Sequence, residues 1–319
     1  MSGKILFITS NRLGDAVLST GLVDSLVENY GDKKITIACG PLATSLFEGT
    51  PNVDEIISLK KQKRAGHWFK LWKHVVGTPW DMVIDLRNSA VSRLIMAKSR
   101  YIFGPHVNRR AHKVEQNAQV VGLAVPPAPR VWVSDEQMRR AEDFIPEGAP
   151  VLAVGPAANW IGKTWAQDRF IEVISRIRAK DGPMPGCRLA VFAAPGEETL
   201  SYPVLESVEP EARIDMIAKT DPGTAGAALR RCQAYLGNDS GLMHLAAAAG
   251  IPTFGLFGPS WPHLYAPWGE HTAFASTPET FAELTDFEGY DPKTLDHSLM
   301  DSLTTDTVYR GFVELMRNR

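Results

Sequence analysis

Two clusters of residues, one toward each end of a 319-residue chain, have the types and spacing for chemistry. Asp239, Ser240 and Gly241 end an apolar run and open a stretch of small residues that reads as a helix. A helix N-terminus carries free N–H groups and the positive end of the helix dipole, so this turn suits a phosphate. His244 follows Ser240 by one helical turn and faces the same end. The same residues also make an ordinary N-cap ahead of a tightly packed helix. Near the other terminus, Ser10-Asn11-Arg12-Leu13-Gly14-Asp15 follows the apolar run Ile5-Leu6-Phe7-Ile8. A carboxylate just past the carboxyl end of a first parallel strand stands where open α/β sheets hold their chemistry, and it has the chemistry of a general base. Asp15 would equally serve as a cap for the helix that follows.

These elements must be positioned by a repeating scaffold. Apolar runs at 4–9, 34–39, 54–59, 80–86 and 100–104, each followed by a polar or helical stretch, imply a parallel sheet. From Asp15 onward Leu18, Leu22 and Leu26 recur at helical spacing until Gly31. Prolines at 126, 127 and 129, a charged helical stretch over 134–144 and prolines at 146 and 150 mark a domain boundary, drawn between 148 and 149. The second half repeats the scheme with strands near 151–155, 188–194, 213–217, 234–237 and 252–257.

Asp15 with its approach, and Asp239-Ser240-Gly241-Leu242-Met243-His244-Leu245-Ala246-Ala247-Ala248 with Phe257-Gly258-Pro259, together resemble the bacterial heptosyltransferase family. Its members move a heptose from ADP-heptose onto the lipopolysaccharide inner core. The likeness runs along almost the whole chain in motif order and domain lengths. It implies an α/β fold of two Rossmann-like doubly wound domains facing a cleft, the GT-B architecture. It makes 1–148 the acceptor-binding domain and 149–303 the nucleotide-sugar domain, with a last helix over 304–319 crossing back to brace the first. No cofactor is implied.

The loops of the second half fit a nucleotide-sugar donor. Lys163 offers a point charge to a diphosphate and Asn159 offers hydrogen bonds. The resemblance implies a lysine before a tryptophan on the donor phosphate, matched by Lys163-Thr164-Trp165. Glu197 and Glu198 put two acids after the strand at 188–194, where one of them would hold ribose hydroxyls or both would decorate a helix N-terminus. Thr220 matches a base-pocket position where the family leads one to expect methionine. On this reading Asp15 deprotonates the acceptor, while Lys163, the Ser240–Gly241 turn and His244 stabilise the departing ADP. Asp239 then accepts from a sugar hydroxyl or the backbone, and a single displacement inverts the anomeric centre. The chain has no Asp-X-Asp triplet, and metal-independent catalysis is expected.

Composition narrows the partners. Apolar content of 44% and charged content of 22% are globular values, and the net charge is −2. Residues 1–150 hold 20 Lys and Arg against 15 Asp and Glu, while the remainder holds 14 against 21, so the first half is the one to meet an anion. Lys60, Lys61, Lys63 and Arg64, followed by Trp68, Phe69, Leu71 and Trp72 among further cations, suit an anionic bilayer or a phosphorylated glycolipid. With Arg12 they are the candidate acceptor-binding residues. An exposed helix with two buried tryptophans is the plainer alternative. Arg109, Arg110, His112 and Lys113 form a second basic cluster. Nucleic acid is an unsuited partner for a nearly neutral chain without a reading motif.

No apolar stretch makes a clean membrane span, and the first residues run straight into a strand without a leader. Cys39, Cys187 and Cys232 lack zinc spacing and read as reduced, buried thiols. The expected location is the cytoplasm, peripheral on the cytoplasmic face of the inner membrane. Rival classes are a hydrolase, which lacks a Gly-X-Ser-X-Gly elbow, and a dinucleotide oxidoreductase, which lacks Gly-X-Gly-X-X-Gly. A transferase using another nucleotide sugar or acceptor, and a noncatalytic sugar-nucleotide binder, stay open.

Overall fold

A computed structural model describes residues 3–318 and divides into two units. The first runs to Asp135 and takes in Asp221–Gly223; the second comprises Glu136–Thr220 and the chain from Thr224. Each is built on one parallel sheet covered by helices, the doubly wound pattern expected for GT-B proteins.

The first sheet contains β1 (Lys4–Ile8), β2 (Lys34–Cys39), β3 (Val53–Ser58), β4 (Trp80–Asp85) and β5 (Ala97–Ile102), in the order β3-β2-β1-β4-β5. Its helices are α1 (Leu13–Val17), α2 (Thr20–Asn29), α3 (Gly66–Val75) and α4 (Lys113–Val121). The central strands are buried along nearly their whole length, as expected of a sheet covered on both faces. The single helix expected from Asp15 to Gly31 is broken in two at Leu18 and Ser19. Ser19 Oγ donates to Ala16 O, Thr20 Oγ1 donates to Val17 O, and the Leu18 carbonyl accepts from Asn117 Nδ2 at 3.0 Å, so side chains take carbonyls from the helical ladder. Gly40 lets the β1 and β2 loops meet, because a Cβ there would fall 2.5 Å from Asn11 Cα.

The second sheet contains β6 (Val151–Gly155), β7 (Arg188–Ala193), β8 (Arg213–Ile217), β9 (Ala234–Asn238), β10 (Thr253–Phe257) and β11 (Thr272–Ser276), in the order β11-β10-β9-β6-β7-β8. Its helices are α5 (Asp135–Phe144), α6 (Gln167–Arg178), α7 (Glu198–Leu205), α8 (Pro222–Leu229), α9 (Gly241–Ala248), α10 (Pro262–Tyr265), α11 (Phe281–Thr285) and α12 (Thr305–Arg317). The edge strand β11 has no counterpart in the sequence expectation: five half-exposed residues carry too little apolar signal.

The division between the units falls between 135 and 136, earlier than the 148–149 boundary expected, because α5 beyond its first residue belongs to the second unit. Arg231 Nε donates to Ile145 O at 2.5 Å, and Arg188 donates to the carbonyls of Pro146 and Ala149. The last helix, expected as a brace for the first domain, has its apolar face in the core of the second: Val308, Phe312 and Leu315 are buried there, with Phe312 edge-on to Phe254 at 6.3 Å. Among the described residues no helix is long and apolar enough to cross a membrane.

Candidate functional site

The candidates of the first unit lie in the segments that follow carboxyl strand ends, either in the loop or in the first turn of the next helix. Asp15 is the third residue of α1, whose N-cap is Arg12, so it is not the cap of its helix. Its Oδ2 accepts from Ser10 Oγ at 3.4 Å, and Ser10 Oγ in turn accepts from Arg12 N at 3.1 Å. The strand-end loop thus aims the carboxylate without consuming it. Lys113, beyond the end of β5, lies within electrostatic reach of Asp15, Arg109 and Arg87. Burial, the largest cause, pulls the Lys113 ammonium below the usual lysine range; attraction to Asp15 opposes this, while Arg109 and Arg87 reinforce it. Lys113 Nζ and the Arg109 guanidinium also lie 5.2 and 5.5 Å from the Phe103 ring centroid.

Arg87 was absent from the sequence expectation. Its signal is the one that marked Asp15: a charged residue just past the carboxyl end of a parallel strand, here β4. Asp85 shapes that loop, its buried carboxylate accepting from Arg87 N and Ser89 N, each at 2.8 Å, and from Ser89 Oγ at 2.7 Å. Lys60, Lys61, Lys63 and Arg64 follow the edge strand β3 and are exposed. Arg64 and Ala65 both hold positive φ, 52° and 58°, a conformation strained for residues with a Cβ. The β3 end lies two strands from β1, so these cations and the Asp15 group occupy different parts of the same sheet edge.

In the second unit the predicted donor residues follow four consecutive strands. Asp239 and Ser240 follow β9, Asn159 and Lys163 follow β6, Glu197 and Glu198 follow β7, and Thr220 follows β8. Lys163 Nζ lies 3.2 Å from Asp239 Oδ2, with only 17% and 9% of the two side chains exposed. Asn238 ties the same loops together: Nδ2 donates to Pro156 O at 2.8 Å and Oδ1 accepts from Trp165 N at 3.1 Å. Ser240 is the N-cap of α9, its Oγ accepting from Met243 N at 3.4 Å, and Gly241 is the first helical residue. His244 is buried one turn on, its ring 6.5 Å from that of Tyr265. Beneath this turn Tyr235 is fully buried, and burial pushes its hydroxyl above the usual tyrosine range. Gly237 has to be glycine there, since a Cβ would meet that hydroxyl at 2.3 Å.

The two glutamates are not equivalent. Glu197 Oε2 folds back to accept from Ala194 N at 2.8 Å. Glu198, in the first turn of α7, meets no hydrogen-bond or ion-pair partner among the described residues. Thr220 is half-buried and Asn159 exposed. Among the described residues no three His, Cys, Asp or Glu side chains converge on a metal position.

A lysine held beside a helix N-terminus, with acids at the next strand end, has the chemistry to bind a nucleoside diphosphate. The family model for glycosyltransferase family 9 (heptosyltransferase) matches residues 68–288. The chain belongs to this family. It is a glycosyltransferase by membership, and curated relatives extend the match beyond that segment. It is 22% identical over 296 residues to lipopolysaccharide heptosyltransferase 3 of Escherichia coli, covering 81% of this chain and 84% of that one. It is 25% identical over 304 residues to lipooligosaccharide heptosyltransferase 2 of Haemophilus influenzae, covering 83% and 86%. Among solved structures, a family 9 glycosyl transferase from Veillonella parvula superposes with a TM-score of 0.80 at 20% identity, covering 100% of this chain and 99% of that chain. The E. coli heptosyltransferase WaaC with ADP superposes with a TM-score of 0.72 at 15% identity, covering 98% and 99%. These superpositions establish the fold.

Proposed function

We propose that this family 9 enzyme transfers a heptose from ADP-heptose to a lipopolysaccharide-core acceptor, by a single inverting displacement without a metal ion. The observation that carries the reading is the pairing of Lys163 with Asp239 beside the N-terminus of α9. It joins a cation and a helix dipole at one strand end, where a departing diphosphate would gather charge. Relatives of comparable length are named lipopolysaccharide and lipooligosaccharide heptosyltransferases, which supports the acceptor class.

In this mechanism Asp15 takes the proton of an acceptor hydroxyl as its oxygen bonds to the anomeric carbon. The bond from that carbon to the β-phosphate oxygen breaks, and its electron pair leaves with ADP. Lys163 and the first N–H groups of α9 receive the charge, and His244 completes that end of the helix. Asp239 holds Lys163 in place and accepts from a sugar hydroxyl. Glu198, with its uncommitted carboxylate, is the better ribose ligand of the two glutamates. Arg12, Arg87 and Lys113 with the exposed Lys60, Lys61, Lys63 and Arg64 attract an anionic glycolipid.

Seating on the cytoplasmic face of an anionic membrane is supported by the outer side of α3. Phe69 is 65% exposed and stacks on Trp72 at 5.8 Å, while Leu94 and Met96 are 64% and 61% exposed. Trp72 Nε1 donates to Leu94 O, which ties α3 to the segment carrying Leu94, and Lys70, Lys73 and Arg93 on these segments are exposed. Apolar side chains rimmed by cations are what a headgroup layer rewards.

The direct test incubates the enzyme with ADP-heptose and heptose-deficient lipopolysaccharide in EDTA. A product one heptose heavier, with the anomeric configuration inverted by NMR, is the expected result. Retention of configuration, or transfer that appears only on adding a divalent ion, contradicts the mechanism.

A further inference from the structure

The carboxyl edge of the second sheet continues past β9. There the loop after β10 and the loop after β11 flank an open cavity of about 380 Å³, within the range of small-molecule sites. The two strands pair in parallel with Phe257 opposite Ser276, and Thr277 N donates to Phe257 O, so both loops leave the sheet side by side. Asp239 N donates to Leu256 O, which places the cavity one strand along from the Lys163–Asp239 pair.

Three features of its lining point to one class of ligand. Trp261 is 45% exposed, and its ring lies 4.9 Å from that of Phe281 at 35°, giving a braced aromatic face at the mouth. Glu279 accepts from Ser302 Oγ through Oε2, leaving Oε1 without a hydrogen bond among the described residues; no cation pairs with this carboxylate there. Ser260 Oγ, on the lining, is buried and has no hydrogen-bond partner among the described residues. An apolar ring face beside an acceptor-rich carboxylate and a spare hydroxyl fits a sugar, whose C–H face packs on an indole while its hydroxyls donate. Among the described residues no Lys or Arg lines the cavity, so a phosphorylated or carboxylated ring would meet the Glu279 charge without compensation.

We propose that this cavity is a subsite for a neutral sugar ring, stacked on Trp261 and hydrogen-bonded by Glu279. It rests on the glycosyltransferase reading, and the ring comes either from the nucleotide donor or from an uncharged residue of the acceptor glycan.

Saturation-transfer NMR with free heptose as the probe tests the subsite without relying on nucleotide binding. Transfer to the ring protons is expected from the wild type, at least fivefold weaker with Trp261→Ala and weakened again with Glu279→Gln; heptose 7-phosphate should give less signal than heptose. Both positions are in surface loops, and unchanged melting of the variants keeps the comparison valid. If ADP-heptose abolishes the heptose signal, the donor sugar fills the subsite; if the signal persists, the acceptor ring does. Absence of transfer to the wild type, or transfer that both variants leave unchanged, overturns the proposal. Failure of ADP to bind the wild type while heptose transfer persists would overturn the donor reading and leave the subsite standing.

Discussion

An aspartate three residues into a helix of five gains nothing as a cap, and Ser10 holds Asp15 at the strand end instead. If it is the base, Asp15→Asn should lower the transfer rate by about 10²–10⁴-fold while ADP affinity, measured by titration, changes less than twofold. Equal loss of both would make Asp15 structural. Lys163 and Asp239 make a different prediction, because each shields the other in a mostly buried site. Lys163→Met should weaken ADP binding at least tenfold and also destabilise the fold, by about 3 kcal/mol if the remaining charge stays dry. Adding Asp239→Asn should restore much of the stability and none of the binding, as read by denaturant melts and titration calorimetry. Lys113 offers a pH test. Its folded value is depressed below the unfolded 10.5, so its charge costs the folded state most below the folded value, and the cost fades as pH rises toward 10.5. Lys113→Met should therefore be more stable than the wild type at neutral pH, with the gain shrinking in alkali; a gain independent of pH would contradict this.

Among the elements, α3 carries opposite demands on its two sides. Leu71 and Val75 are buried against the first sheet and Trp72 packs partly buried on the same cluster, while Phe69 is exposed, as are Leu94 and Met96. Phe69→Asp should cut co-sedimentation with phosphatidylglycerol vesicles at least tenfold and leave the melting temperature within a degree or two, since the site is exposed. Binding that survives would assign the patch to something other than a bilayer. The parallel strands were legible in sequence because runs such as Lys4–Ile8 and Val151–Gly155 are short and continuously apolar between polar loops. The break in the first long helix was not, because it depends on Asn117, 99 residues from the Leu18 carbonyl it takes. The unit boundary escaped for the same reason, since the Arg231 contact to Ile145 spans 86 residues, whereas β11 escaped because a half-exposed edge strand carries too little apolar signal. The donor loops were readable because each follows its own strand, whereas Arg87 joins the Asp15 group only through the strand order β1-β4-β5.

For the whole molecule, two sheets with chemistry-bearing carboxyl edges fit a reaction that needs one set of residues for an acceptor and another for a nucleotide. The three cysteines take no part: burial pushes Cys39 and Cys232 to about 12 and Cys187 to about 11, so native protein at pH 8 should resist iodoacetamide until it unfolds. The charge contrast between the halves, positive before residue 150 and negative after it, is the reason we propose the first unit, which lies within the positive half apart from Asp221–Gly223, as the one that meets the anionic acceptor. The assignment of an ADP-sugar as the donor is the claim on which the mechanism stands. Isothermal titration of the wild type in EDTA with ADP-heptose, ADP, UDP and GDP addresses it directly. Micromolar binding confined to the two ADP ligands is the expected outcome. Preference for UDP or GDP, or heat from none of the four, contradicts it.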